Sequence, residues 1–192
     1  MDTLITHLIS NLQLTEEEAA IFLSAFELIN LKKGDIFVYP GKTCDRIGLI
    51  ESGLMKCVLL KEEKEVVFEF AYENSFIADY YSFVTGVPSC KLISCLEPTT
   101  VYVITRQRLA QLSNRYDFVE RISRITNQQL FIRMHEKSTS LLLDSATVRY
   151  KKLIELRQDL AQRIPQYLLA SYLNVKPETI SRIRKRLAKV PS

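Results

Sequence analysis

Glu178, Ser181, Arg182 and Lys185 follow the i, i+3, i+4, i+7 spacing of one helical face near the end of this 192-residue chain. Such a set could do one kind of chemistry well, which is to hydrogen-bond to nucleic-acid bases and phosphates. An arginine forms paired bonds with O6 and N7 of guanine, and a glutamate accepts from cytosine N4. A carboxylate on an otherwise cationic face is useless for general attraction to phosphate, but it suits base reading. Glu178, Ser181 and Arg182 are therefore the expected base readers. Gln166, Lys176, Thr179, Arg184 and Lys185 are the expected backbone contacts, which position a protein on a duplex without specifying sequence.

The stretch from Gln166 to Lys185 has what a helix-turn-helix needs to hold such a face out. Ala170 is small where two helices would cross closely, and Asn174 stands at the sharp turn, where the backbone must tolerate a left-handed conformation. Pro177 suits the first turn of the second helix, where its missing N–H is not needed. Leu169, Leu173, Val175, Ile180, Ile183 and Leu187 supply the buried side. The plainer alternative is a surface amphipathic helix with a solvated basic face. It does not account for small, turn and apolar positions falling in one register.

The charge distribution agrees. Residues 141–192 carry 11 Lys/Arg against 4 Asp/Glu, whereas residues 1–140 carry 15 against 18. The net +4 is thus a basic tail segment joined to a near-neutral domain, the footprint of a nucleic-acid-binding region.

Upstream, Thr15-Glu16-Glu17-Glu18 opens an amphipathic helix, with Thr15 as N-cap and Glu18 as its capping-box partner. Between Asn30 and about Ile104 short β-branched and aromatic runs alternate with turns, and four of the five glycines fall between positions 34 and 53. Strands are predicted at 36–39, 47–50, 55–60, 66–70 and 100–104, as in a sandwich or barrel. A short helix is predicted from Arg106 to Leu112 and a long one from about Asp117 to Ser140. The long helix carries Phe118, Val119, Ile122, Ile125, Leu130, Ile132 and Met134, which could pack on their own domain or on a second copy of the chain. Leu143-Asp144-Ser145 reads as a hinge, with Asp144 or Ser145 capping a helix that runs to about Asp159.

Several function classes are excluded by composition. With only His7 and His135, no Ser/His/Asp or Cys/His set can be assembled and no Gly-rich phosphate loop is present, so the chain is not expected to be an enzyme. Cys44, Cys57, Cys90 and Cys95 form no C-x-x-C pair and are expected to be buried or semi-buried thiols, with no metal and no cofactor. No apolar run is long enough to span a membrane, and Met1-Asp2-Thr3-Leu4 does not open a signal peptide, so a cytoplasmic protein with no membrane partner is expected.

Taken together, Leu31-Lys32-Lys33-Gly34-Asp35, the run Gly48 to Gly53, and Glu178-Thr179-Ile180-Ser181-Arg182 resemble the Crp/Fnr superfamily of bacterial transcription regulators over nearly the whole chain. The resemblance implies an α+β protein. Its parts would be a cyclic-nucleotide-binding-like sensor β-roll (a double-stranded β-helix) over 1–115, a dimerisation helix and hinge over 116–142, and a winged-helix-type helix-turn-helix DNA-binding domain over 143–192. It also implies a homodimer on a palindromic, double-stranded operator with TTGAT-like half-sites, and RNA polymerase as a partner. The family's sensor pairs a Phe-Gly-Glu-like run, whose Glu holds a ribose hydroxyl, with a downstream Arg-Ser/Thr that holds the phosphate. Here Phe76-Ile77-Ala78-Asp79 stands at the first, and Ser89 and Cys90 fall where Arg-Ser would be, with Lys91 displaced by two positions. A phosphate thereby loses its charge-assisted partner, and cyclic AMP is not expected to bind. The expected degenerate effector pocket is Phe76, Asp79, Ser89, Cys90 and Arg133, the last on the long helix near where relatives contact the base, or a plain seam or surface arginine. An unknown small-molecule effector or the domain's own side chains could fill it. The N-terminal cysteine cluster of the iron–sulfur relatives is missing, and the chain stops five residues after Leu187, so the wing is expected to be truncated. The rival reading is a small-molecule-binding β-roll protein whose C-terminal helices dock a protein partner.

Overall fold

A computed structural model describes residues 2–62, 64–157 and 159–187. It divides into two compact units, residues 1–129 and 130–192.

The first unit opens with α1 (Asp2–Leu12) and α2 (Glu16–Ser24). Thr15 caps α2: its hydroxyl accepts from the Glu18 amide at 3.1 Å, and the Glu18 carboxylate accepts from the Thr15 amide at 2.9 Å. That amide, then the Arg121 guanidinium at 2.6 Å, hold the Glu18 carboxyl below the usual range. Among the described residues eight strands follow: β1 (Glu27–Leu31), β2 (Ile36–Val38), β3 (Arg46–Ser52), β4 (Met55–Lys61), β5 (Lys64–Ala71), β6 (Phe76–Ile77), β7 (Lys91–Cys95) and β8 (Thr99–Thr105). They form two four-stranded antiparallel sheets, ordered β1-β8-β3-β6 and β2-β7-β4-β5. Each sheet mixes strands from both ends of the sequence, as a β-roll requires. A short helix, α3 (Tyr80–Thr85), interrupts the strands, and α4 (Arg106–Ser113) follows them.

At the centre of the first sheet, along β3 and β8, both faces are buried. Ile50, Val101 and Val103 point between the sheets, against Phe37, Met55, Cys57 and Ile93. Their neighbours Leu49, Tyr102 and Ile104 point the other way, against Leu8, Phe22, Phe26 and the first turns of α5 (Phe118–Leu143). Gly48 sits where a Cβ would come within 2.8 Å of Val101 and 2.9 Å of Ile77, so the interior admits no side chain there.

Along α5 the apolar residues differ in burial. Phe118, Val119, Ile122 and Ile125 belong to the core of their own unit. Phe131, Ile132, Leu142 and Leu143 are exposed by 72, 55, 85 and 79%. A break at Asp144 and Ser145 then separates α5 from α6 (Ala146–Leu156). Ser145 is the cap, its hydroxyl accepting from the Val148 amide. The second unit continues with α7 (Leu160–Arg163), α8 (Gln166–Tyr172) and α9 (Pro177–Leu187) around Tyr150, Leu160, Leu168, Leu169, Leu173 and Ile180. The expected wing falls on residues 188–192, outside the described residues. Among the described residues, no helix is long and apolar enough to cross a membrane.

The cysteines depart from expectation at one position. Cys44, Cys57 and Cys95 are buried, and burial pushes the Cys44 and Cys95 thiols up. Cys90 is exposed, because it lies just past the loop residue Ser89 whose backbone is tied inward to Gly41 and Lys42.

Candidate nucleic-acid interface

The sequence from Leu169 to Thr179 folds as its residue types demand. Helix α8 ends at Leu173, whose amide bonds the Leu169 carbonyl at 3.0 Å. Asn174 then takes φ +52°, the left-handed conformation a short polar side chain tolerates, and its amide donates to Ser171 at 3.0 Å. The Val175 amide closes the turn on the Ala170 carbonyl at 2.9 Å, and Ala170 is 1% exposed. Gln166 ties the start of α8 to the start of α9, donating from Nε2 to the Pro177 carbonyl at 2.8 Å.

Helix α9 is sharply two-sided. Ile180 and Ile183 are buried, whereas Glu178, Arg182 and Lys185 are exposed, Ser181 and Thr179 half-buried, and Lys176 exposed just ahead of the helix. Glu178, Ser181 and Arg182 therefore share a face that solvent reaches. Beside them lies a cleft of about 230 Å³ lined by Thr147, Thr179, Arg182 and Arg186. Arg184, expected at a phosphate, turns back into the unit instead. Its Nε donates to the Tyr150 hydroxyl at 2.9 Å and one terminal nitrogen to the Ala161 carbonyl at 2.9 Å, holding α9 to α6 and α7. Arg186 bonds the Thr147 hydroxyl. Around α7, Arg157 and then Arg163 grip Asp159 and hold its carboxyl far below the ordinary range.

The residues expected to form a degenerate effector pocket are only partly assembled. Phe76 is half-buried on β6. Asp79 is 2% exposed at the start of α3, yet its side chain does not cap that helix. It accepts instead from the Ser89 hydroxyl at 2.7 Å, and the Lys91 ammonium lies 3.0 Å from its other oxygen. Ser89 is itself 3% exposed, and Lys91 also sits 4.4 Å from the centre of the Phe68 ring. By its place in the sequence Lys91 is a cation displaced from the phosphate position, whereas the fold turns it onto Asp79. Nothing in a twelve-residue separation signals that pairing; only the antiparallel return of β7 creates it. Cys90 is exposed, and Arg133 is exposed on α5.

Comparison with known proteins accords with this architecture. Residues 28–116 match the family model described as the cyclic nucleotide-binding domain. That match lies within the first unit. The order β-roll, long helix and C-terminal helical region is the fold shared with several solved structures. The chain is similar to FixK2 from Bradyrhizobium japonicum at 16% identity, with a TM-score of 0.71 over 85% of this chain and 84% of that one. It is similar to the catabolite activator protein of Thermus thermophilus at 20% identity, with a TM-score of 0.60 over 95% and 87%. A third likeness is to CLP of Xanthomonas campestris, a c-di-GMP responsive global regulator, at 18% identity and a TM-score of 0.65 over 87% and 88%. No curated protein matches the sequence.

Proposed function

We propose that this protein is a sequence-specific, DNA-binding transcription regulator in which α8 and α9 form the helix-turn-helix and α9 reads bases. The observation that carries the reading is the outward presentation of Glu178 and Arg182 on a helix anchored by Ile180 and Ile183 behind a left-handed turn at Asn174. Glu178, Ser181 and Arg182 read bases, while Lys176, Thr179 and Lys185 hold phosphates. Gln166 and Arg184 serve chiefly to hold α9 in place, since their donors meet Pro177, Tyr150 and Ala161.

The active species is a homodimer joined along the second half of α5. Four large apolar side chains exposed on one helix, Phe131, Ile132, Leu142 and Leu143, support that seam. Two recognition helices would then meet half-sites about one helical turn apart on a palindromic operator. The protein works in the cytoplasm alongside RNA polymerase and catalyses no reaction. It does not respond to cyclic AMP, because the residues at the ribose and phosphate positions bond to one another.

The test is a competition gel shift with a duplex carrying two TTGAT-like half-sites against a scrambled duplex. The native protein is expected to prefer the first and to lose affinity steeply as salt rises. Arg182→Ala should cost about 1–3 kcal/mol on the preferred duplex and relax discrimination. A variant that keeps full discrimination, or a protein that binds no duplex and instead retains a protein partner, would overturn the reading.

A further inference from the structure

Arg149 lies at the point where three helices of the second unit converge. It sits in the first turn of α6, and one terminal nitrogen donates to the Asp144 carbonyl at 2.6 Å, directly after α5. The other donates to the Leu173 carbonyl at 2.9 Å, the C-cap of α8, one residue before the left-handed turn at Asn174. Both acceptors stand at helix C-termini, where carbonyls lack intrahelical donors and the backbone dipoles favour a cation. The Asp144 side chain is fixed from both sides of the break, accepting from Ser140 on α5 and from Lys152 on α6 at 2.7 Å. The guanidinium therefore joins a pinned hinge to the turn that aims α9.

A second observation says that this arrangement is not simply good packing. The Arg149 Nε is buried and meets no hydrogen-bond partner among the described residues. An unsatisfied buried donor is unfavourable, so what keeps an arginine here is the pair of bonds made by its two terminal nitrogens. A lysine carries the same charge as a single point and cannot span two carbonyls with a planar fork.

We propose that Arg149 is a positioning residue for DNA recognition: it sets the placement of the α8–α9 pair relative to the end of α5, and hence the distance between the two reading helices of a dimer. This rests on the DNA-binding, dimeric reading above. The clamp does not touch DNA, so it governs the separation of half-sites and leaves the sequence read within each half-site to Glu178, Ser181 and Arg182.

The experiment uses the full chain and a random-sequence duplex library. The native protein first selects its preferred paired site. That site is then remade with spacers one and two base pairs shorter and longer, and affinities are measured for the native protein, Arg149→Lys and Arg149→Gln. The native protein should favour one spacing by about tenfold or more, the worth of one charge-assisted hydrogen bond. Both variants should keep the half-site sequence and a native circular dichroism spectrum but bind all spacings within about threefold of one another. Variants that keep the native spacing preference overturn the inference. So do variants whose affinity falls equally on every spacing in step with a lower melting temperature. A native protein that selects no paired site at all overturns the DNA-binding reading itself, which separates the two failures.

Discussion

Breaking the Asp79–Lys91 pair should have unequal consequences according to which partner is removed, and the burial of each predicts the order. At 3.0 Å, an effective dielectric constant near 20 gives an attraction of about 5 kcal/mol, most of it offset by the desolvation of both charges. Removing one partner therefore exposes the desolvation cost of the other, commonly about 3–5 kcal/mol. In Asp79→Asn the charge left behind is the Lys91 ammonium, whose side chain is 16% exposed and which keeps the Phe68 ring at 4.4 Å. It can turn toward water, so the loss should fall near the lower end, about 3 kcal/mol. In Lys91→Met the carboxylate of Asp79 is left 2% exposed, with the Ser89 hydroxyl as its remaining donor at 2.7 Å. That loss should approach about 5 kcal/mol. The double variant removes both charges and should lie within about 1 kcal/mol of the native protein, because a neutral pair carries neither the attraction nor the ionic desolvation. The assay is urea unfolding followed by far-ultraviolet circular dichroism and tyrosine fluorescence, since the chain has nine tyrosines and no tryptophan. With a slope of about 2 kcal/mol per molar urea, the midpoints should drop by about 1.5 M and about 2.5 M for the single variants. The reasoning is refuted if Lys91→Met is no more damaging than Asp79→Asn, or if the double variant is as unstable as the two losses added together.

Two further outcomes follow from particular positions. Because Asn174 holds φ +52°, Asn174→Gly should leave the melting temperature of the second unit nearly unchanged, whereas Asn174→Val should cost about 1–2 kcal/mol, which thermal unfolding will read. Titration calorimetry with cyclic AMP should give no binding heat for the native protein; saturable binding at micromolar concentration would show that the Asp79–Ser89–Lys91 cluster yields to a ligand phosphate.

The order of elements was legible in the residues wherever a local rule decides them. The Thr15–Glu18 capping box, the strand over 55–60, the long helix (expected to about Ser140 and running to Leu143) and the turn at Asn174 each depend on neighbours a few positions away. Helix α1 was not foreseen, although Leu4, Leu8 and Leu12 recur at helical spacing and are all buried against the roll. Strand β7 escaped for a physical reason. It lies between β2 and β4, yet it carries Lys91, Ser94 and Cys95, whose polarity reads as loop until Asp79 supplies the countercharge. Strand β1 pairs only with β8, and its residues are exposed or half-buried, so its pattern lacks a clean alternation.

For Glu178 and Arg182 on α9 the sequence alone sufficed to say that they point out. On a single helix anchored by Ile180 and Ile183, the position of Glu178 and Arg182 follows from 3.6 residues per turn. Only the tertiary structure could decide which cations remain available. Arg184 and Arg149 have the same charge as Arg182, but their fates rest on Tyr150, Ala161, Asp144 and Leu173, brought near by the folding of other helices. A helix's periodicity assigns a side chain to a face, whereas a hydrogen bond to a carbonyl 24 residues away depends on where the chain returns, which no local pattern encodes.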